Sequence, residues 1–154
     1  MTDIVSLETR RRMMSGIQGK NTKPEIEIRT ALHRDGYRYR LHVKSLPGKP
    51  DLVLPKYQAV IQINGCFWHG HNCHLFKWPS TRPDFWKQKI SSNRGRDKKN
   101  RTRLRHLGWR VLTIWECALK GRQRIPLPVL IGDVKAWLAS EEESKEIRGK
   151  EYRR

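Results

Sequence analysis

The first half of the chain begins with a helical pattern of apolar residues. Thr22 has the character of a helix N-cap, with Pro24 in the first turn and Glu25 three residues after the cap. Apolar residues then recur at a spacing that fits a helix, and Gly36 stops it. These apolar positions are Ile26, Ile28 and Leu32. The pattern predicts one amphipathic helix between the cap and this glycine.

Three strand patterns come next. Residues 37–43 alternate between apolar and polar, and residues 51–54 form a short apolar run between a Pro-Gly-Lys-Pro turn and Pro55. Residues 59–63 are more continuously apolar, which is typical of a strand covered on both faces. This third strand is therefore predicted to be central in the sheet.

The second half predicts a helix, a strand and a helix, over 84–107, 108–116 and 129–139. The first of these segments is polar on nearly every side. From residue 140 onward, five acidic and five basic residues accompany few apolar ones, so we predict a disordered tail over 140–154.

Residues 1–21 are predicted to be a basic N-terminal arm that contacts nucleic acid. A short amphipathic helix is expected within it, over 7–21, with an end that Gly16 and Gly19 leave undefined. The order of elements favours a single α/β or α+β domain over 1–139. Its sheet would be small, partly antiparallel and flanked by helices.

The charge of the chain indicates which kind of partner it binds. Lys and Arg number 33 against 15 Asp and Glu, a net charge of +18. Between Lys87 and Arg110, ten basic residues accompany a single acid. Like charges on one segment repel each other unless a polyanion docks there, which favours phosphate contact over a merely solvated face. The predicted phosphate contacts of this segment are Lys89, Asn93 and Arg96.

The three cysteines are an odd number, and the sequence has no pattern of a secretory leader. No apolar run approaches the ~20 residues that a membrane span requires. We therefore expect a reducing compartment, no membrane contact, and cysteines that are free, buried or bound to metal.

Cysteine and histidine are concentrated after the third predicted strand. Cys66, His71 and Cys73 lie within eight residues, and Cys117 follows the fourth strand. If the two strands are neighbours, these side chains suit a tetrahedral, structural zinc site. His74 competes with His71 for the fourth place. The alternative is a buried free Cys117 and a loop that binds no metal.

Three further residues are candidates for catalysis. Asp51 opens the second strand, Glu25 lies on the preceding helix, and His69 follows the third strand. A carboxylate near a sheet edge can hold Mg²⁺ against a phosphate, and an imidazole that is not bound to zinc can take a proton from water. The competing interpretation of Asp51 is an isolated acid in a turn.

Aromatic residues lie in the sequence between the proposed metal ligands. Phe67 and Trp68 lie next to Cys66, and Trp86 begins the basic helix. Such rings ordinarily pack in a core. Rings held by a metal-bound loop can instead act as wedges that unstack base steps.

Together these residues give the chain a resemblance to the very short patch repair endonucleases, bacterial enzymes that nick DNA at T:G mismatches. The resemblance is carried by SLPGKPDLV, GCFWHGHNCHLFKWPSTRPDFWKQKI, NRGRD and LGWRVLTIWECALKGR. With Met14 and Glu25 it extends over residues 7–122.

The resemblance implies a restriction-endonuclease-like core related to the PD-(D/E)xK nucleases. Asp51 would be the principal Mg²⁺ ligand, and the main-chain carbonyl of Ile63 would provide a second protein contact. His69 would act on the attacking water, and Glu25 would support the site.

The resemblance also implies the roles of the remaining candidates. The structural zinc ligands would be Cys66, His71, Cys73 and Cys117, which makes His74 the less favoured candidate. The wedge from the major groove would consist of Phe67, Trp68 and Trp86. Met14 would insert from the minor groove.

The chain departs from the family at Ile63-Asn64, where Thr-His is common. Loss of the threonine need not matter if it contributes a backbone carbonyl. Asn64 can donate a hydrogen bond to phosphate but cannot transfer a proton. We therefore expect either a lower activity or a catalysis that depends more heavily on His69. The histidine-rich run of the family is also reduced here, to Gly70 and Asn72.

The implied activity is a Mg²⁺-dependent nick on the 5′ side of the thymine in T:G mismatches that arise from deaminated 5-methylcytosine. A monomer would act in the bacterial cytoplasm at the nucleoid, with a cytosine methyltransferase and a repair polymerase as functional companions. One alternative is a restriction-type nuclease of the same fold that cuts undamaged duplex. Another is a non-catalytic, zinc-stabilised DNA-binding protein.

Overall fold

The computed structural model describes residues 22–150, and in this range one mixed sheet lies between helices. The helices are α1 (Lys23–Arg34), α2 (Pro83–His106) and α3 (Leu127–Ala139). The strands are β1 (Arg40–Leu41), β2 (Leu52–Leu54), β3 (Ala59–Asn64), β4 (Arg110–Trp115) and β5 (Ser144–Ile147). Single 3-10 turns follow β2 and β4, at Pro55–Tyr57 and Glu116–Ala118. The predicted helix over 7–21, including Met14, lies outside the described residues.

The strands follow the order β1-β2-β3-β4-β5 across the sheet. β2 is antiparallel to both β1 and β3, whereas β4 is parallel to both β3 and β5. The register of β3 and β4 aligns Asn64 with Trp115, so the carboxyl ends of these two strands lie side by side. The predicted small, partly antiparallel sheet is thereby confirmed, and the third and fourth strands are neighbours, which is the condition that the zinc hypothesis requires.

Both faces of the sheet are covered. α1 and α3 pack on one face, where the larger core contains Ile28, Leu32, Leu52, Leu54, Ile61, Leu112, Ile114, Leu130, Val134 and Trp137. α2 covers the other face through a smaller cluster of Val53, Val60, Leu104 and Val111. Because β3 sends side chains into both clusters, its continuous apolar pattern follows from burial on two sides.

The predicted cap of α1 is present. The Thr22 hydroxyl oxygen accepts a hydrogen bond from the Glu25 main-chain N–H at 3.4 Å, and a proline occupies the first turn. The helix ends at Arg34, and Gly36 adopts a φ of +96°, in the left-handed region that favours glycine.

β1 is shorter than the predicted strand over 37–43. Only Arg40 and Leu41 pair with β2, and His42 has a φ of +47°, which breaks the extended conformation. The alternation of apolar residues was a correct signal for the pairing but overestimated its length.

The predicted disordered tail is wrong for residues 144–147, which form β5 at the edge of the sheet. Arg110 explains why the chain returns there. Its guanidinium donates to the main-chain carbonyls at the end of α3 and of the segment leading to β5, which are those of Trp137, Leu138, Ser140 and Glu142. Composition could not show this, because the order depends on partners elsewhere in the fold.

α2 matches its predicted polar character. Of its 24 residues, Ile90 and Leu104 are the two that are buried, and most of its basic side chains are exposed. Arg105 pairs with Glu143, so part of the charge of this basic helix is balanced within the fold. No helix in the range 22–150 is long and apolar enough to cross a membrane.

The loop between β3 and α2 approaches the helix closely at Gly70. This glycine has a φ of +60°, and a Cβ placed on it would lie 2.5 Å from Cγ2 of Ile90 and 2.9 Å from Cδ of Arg94. The loop that carries the candidate ligands and rings therefore depends on glycine at this position.

We expect Gly70→Ala to lower the free energy of unfolding by about 1–3 kcal/mol, because it adds both a clash and an unfavourable φ. Gly95→Ala is the matched control: nothing lies within 4 Å of its Cβ position, in the interior of α2. This control should raise stability by about 0.5–1 kcal/mol. Denaturant unfolding of both variants measures the difference, and a Gly70→Ala protein as stable as the parent would contradict the packing.

Candidate active site and metal-binding cluster

A cleft of about 750 Å³ opens between the start of α1, the end of β3 and one side of α2. It brings together seven residues predicted from the sequence: Ile63, Asn64, Trp68, His69, Lys89, Asn93 and Arg96. The cleft thus combines candidates for catalysis, for the wedge and for phosphate contact.

Asp51 is tied to this cleft by a hydrogen bond. Its Oδ2 accepts from the main-chain N–H of Ile63 at 2.7 Å, across the hairpin of β2 and β3. Burial raises the pKa of Asp51 to about 6, and the nearby Glu25 adds to the increase, while the Ile63 hydrogen bond, His42 and His69 oppose it. At neutral pH a charged Asp51 therefore lies in surroundings that favour a nearby cation.

Glu25 comes to the same place from the first turn of α1. Its side chain is nearly fully buried and contacts the Nε2 atom of His42, and Arg29 lies 3.6 Å from its Oε1. The His42 Nε2 is also 3.9 Å from Oδ1 of Asp51. Glu25, His42 and Asp51 form a group with donor atoms within 4.8 Å of each other that could hold a metal ion.

His69 is oriented by a residue that the sequence analysis did not identify. Its Nδ1 is 2.5 Å from Oδ2 of Asp97, on the side of α2 that faces the cleft. An acceptor at Nδ1 fixes the tautomer in which Nε2 carries a lone pair. The sequence feature that could have identified Asp97 is that it is the single acid among ten basic residues of this segment.

Asn64 is buried beside the cleft. Its side chain is 7% exposed, and within the described range the Nδ2 atom has no hydrogen-bond partner. A buried donor without a partner is costly unless a ligand satisfies it. The amide is therefore available to an acceptor such as a phosphate oxygen.

A second cluster lies where β3 and β4 end. It comprises Cys66, His71, Cys73 and Cys117, the four residues predicted as zinc ligands. The Nδ1 atom of His71 is 3.6 Å from Sγ of both Cys66 and Cys117. His74 is outside this group and instead pairs its Nδ1 with the Gln123 side chain at 2.9 Å.

The surroundings of the cluster suit metal binding. Burial lowers the pKa of His71, which favours the neutral imidazole that can bind a metal. Burial raises the pKa of the Cys66 and Cys117 thiols, so a bound cation is what would hold them as thiolates. Main-chain N–H groups already point at both sulfurs: Cys117 donates to Cys66 at 3.3 Å, and Gly149 donates to Cys117 at 3.2 Å.

Two residues connect the cluster to its surroundings. Trp115 stacks on the His71 ring, with centroids 4.0 Å apart and planes 8° apart. Glu116, which the sequence analysis also missed, accepts from the Cys66 main-chain N–H at 3.2 Å, pairs with Lys120 at 2.9 Å and lines the cleft. The cluster and the cleft therefore share a wall.

The predicted wedge residues form one aromatic group that is only partly buried. The Phe67 ring lies 5.2 Å from Trp68 and 5.3 Å from Trp86, and the two tryptophans are 5.9 Å apart. The Asn93 amide donates to the main-chain oxygen of Trp68 at 2.9 Å and so ties the loop to α2. These rings belong to neither of the two hydrophobic clusters that cover the faces of the sheet.

Comparison with known proteins places the chain in one family. The family model described as DNA mismatch endonuclease Vsr matches residues 2–75. The DNA mismatch endonuclease Vsr of Escherichia coli K12 is 42% identical over 147 residues, which cover 96% of this chain and 94% of that protein. The type II nicking enzyme V.XorIIP of Xanthomonas oryzae pv. oryzae is 48% identical over 119 residues, with 77% and 88% covered. V.NmeAIP of Neisseria meningitidis, another type II nicking enzyme, is 46% identical over 122 residues, with 79% and 87% covered. The chain belongs to the Vsr family of DNA mismatch endonucleases.

Proposed function

We propose that this endonuclease nicks one strand of duplex DNA on the 5′ side of the thymine in a T:G mismatch. The observation that carries the proposal is the closeness of two pairs. His69 and Asp97 line the cleft, and Asp51, grouped with Glu25, is hydrogen-bonded to the cleft residue Ile63. The pair of carboxylates suits a divalent cation, and the pair of His69 with Asp97 suits a general base. Asp51 at the start of a β-hairpin, beside the end of the central strand, also supports a restriction-endonuclease-like core related to the PD-(D/E)xK nucleases.

The proposed ligands of a catalytic Mg²⁺ are Asp51 and the main-chain carbonyl of Ile63, with Glu25 in support. When bound, the ion would neutralise charge on the phosphate and polarise its P–O bond. His69, held at Nδ1 by Asp97, accepts a proton from the attacking water at Nε2. Asn64 donates a hydrogen bond to a phosphate oxygen and takes no proton.

Recognition of the mismatch is assigned to deformation of the duplex. Phe67, Trp68 and Trp86 form a partly exposed aromatic group beside the cleft, suited to insertion between base pairs. A T:G wobble pair stacks weakly, so opening the duplex there costs less than at a matched pair. Met14 is the proposed partner of this wedge in the minor groove.

The wider setting follows from the substrate. T:G mismatches arise where 5-methylcytosine deaminates, so a cytosine methyltransferase is the expected companion, and a polymerase would extend the 3′-hydroxyl at the nick. Because one strand is cut, one active site is sufficient, which is consistent with a monomer.

We expect the protein to nick a T:G duplex in a methyltransferase sequence context, with Mg²⁺ present, and to leave the matched T:A duplex intact. Asp51→Ala should reduce nicking at least about 100-fold while DNA binding persists, because it removes a cation ligand and not the basic surface. Single-turnover nicking on end-labelled duplexes measures both. Equal cutting of T:G and T:A would favour a restriction-type nuclease, and binding without any nicking would favour a non-catalytic protein.

Asp97→Asn should lower the nicking rate about 100-fold, because the amide can donate to Nδ1 and leave the proton on Nε2, where the lone pair is needed. DNA affinity should change little. Asp133→Asn, at an exposed position of α3, is the matched control and should nick at the parent rate. An unchanged rate for Asp97→Asn would remove Asp97 from the proposed mechanism.

We infer that the second cluster binds Zn²⁺. A tetrahedral ion with Zn–S of about 2.3 Å and Zn–N of about 2.0–2.1 Å places sulfur and nitrogen about 3.5–3.6 Å apart. The two distances from Sγ of Cys66 and Cys117 to Nδ1 of His71 are both 3.6 Å. Four protein ligands leave no open position, so the ion would hold the loop that carries the aromatic group rather than take part in hydrolysis.

Protein purified without chelators should contain one zinc per chain by elemental analysis. Cys117→Ser and His71→Gln should lose it, because each removes a ligand, and both should unfold at lower temperature. His74→Gln should keep its zinc, since His74 pairs with Gln123 and not with the cluster. A parent protein without zinc, or a His74→Gln protein that loses it, would refute this ligand set.

A further inference from the structure

We propose that His42 is a direct ligand of the divalent ion at the catalytic centre, beside Glu25 and Asp51, and that its imidazole raises the affinity of this site for Mn²⁺ relative to Mg²⁺. The inference rests on the proposed function, since it concerns the cation of the same site. Its test, however, measures metal binding and not nicking.

The donor atoms have the required spacing. The Nε2 atom of His42 is 3.9 Å from Oδ1 of Asp51 and contacts Oε1 of Glu25. Two ligands that each lie about 2.1 Å from an ion are at most about 4.2 Å apart. The His42–Asp51 distance lies within this limit. The terminal torsion of a glutamate is broad, so a small rotation of Glu25 separates its oxygen from Nε2.

The backbone supports the same orientation. His42 follows β1 directly with a φ of +47°, a left-handed conformation that costs free energy in residues other than glycine. Its main-chain N–H donates to the Asp51 carbonyl at 3.1 Å, so the bend is held by the residue whose side chain the imidazole faces. The direction of the His42 side chain is therefore set by this bend and not by the alternation of an extended strand.

Burial limits the role of solvent. The side chains of Glu25, His42 and Asp51 are 3%, 12% and 24% exposed. Arg29, 3.6 Å from Glu25, balances part of the negative charge from the α1 side. Two mostly buried carboxylates and one imidazole nitrogen that face each other make a mixed oxygen and nitrogen ligand set.

This ligand set discriminates between ions. Mg²⁺ favours carboxylate, carbonyl and water oxygens, whereas imidazole nitrogen binds the later first-row ions more tightly. Mn²⁺ accepts both kinds of ligand, so the nitrogen contributes to its affinity more than to that of Mg²⁺. Replacing His42 by glutamine keeps a side chain that can offer an oxygen and removes the nitrogen.

The experiment titrates Mn²⁺ into the zinc-loaded protein and follows bound Mn²⁺ by EPR, with Mg²⁺ as competitor. Pulsed EPR of the parent should show a nitrogen nucleus coordinated directly to Mn²⁺. His42→Gln should lose this coupling and weaken Mn²⁺ binding at least about tenfold, with less than about a threefold change for Mg²⁺. His106→Gln, an exposed histidine at the end of α2, is the control and should match the parent.

The absence of a coordinated nitrogen in the parent would overturn the proposal, and this measurement does not depend on whether a variant folds. Nitrogen coupling that persists in a folded His42→Gln protein would assign the ligand to another imidazole, such as His69, and would also overturn it. If His42→Gln weakened the binding of Mn²⁺ and Mg²⁺ equally, His42 would act by positioning Glu25 and not as a metal ligand, and the proposal would be wrong. A protein that binds Mn²⁺ through His42 but cuts T:G and T:A equally would refute the mismatch function alone.

Discussion

The parallel pairing of β3 with β4 is the constraint on which both centres depend. Its register aligns Asn64 with Trp115, so the residues that follow each strand emerge side by side at one edge of the sheet. Cys66 and Cys117, which are 51 positions apart, thereby come within reach of a single ion, and the Cys117 N–H donates to the Cys66 sulfur. On its other edge, β3 pairs with β2, and this places Asp51 against Ile63. A slip of one residue in either pairing would turn these side chains to opposite faces and dismantle both sites.

Charge is arranged in two opposed ways around this edge. The basic side of α2 faces outward and supplies Lys89 and Arg96 to the cleft, whereas Glu25 is buried and Asp51 is half-buried next to the cleft residue Ile63. The basic side chains thus attract phosphate at long range, and the two carboxylates favour a cation at short range. The two do not cancel, because the buried carboxylates act at short range in a poorly hydrated place and the exposed bases act through solvent. Asp97 connects the basic helix α2 to the proposed catalytic residues, since it lies on that helix and orients His69.

Much of the fold followed from local patterns. The cap at Thr22, the central position of β3 and the polar character of α2 were all predictable, because each depends on residues close in sequence or on burial of a continuous apolar run. The ordered β5 was not predictable. Its neighbours in the sequence are charged, and its order comes from pairing with β4 and from the hydrogen bonds of Arg110, a residue more than thirty positions away.

The sequence by itself determined the types of residue available for chemistry: thiols and imidazoles in one short stretch, acids on α1 and at β2, and a helix rich in basic residues. Only the tertiary structure decided which of them meet. It placed His71 and not His74 with the cysteines, joined Asp97 to His69, and turned His42 toward Glu25 and Asp51. The physical reason is that these partnerships depend on strand register, on a left-handed bend at His42 and on the side of α2 that faces the loop, none of which a local pattern of residues specifies.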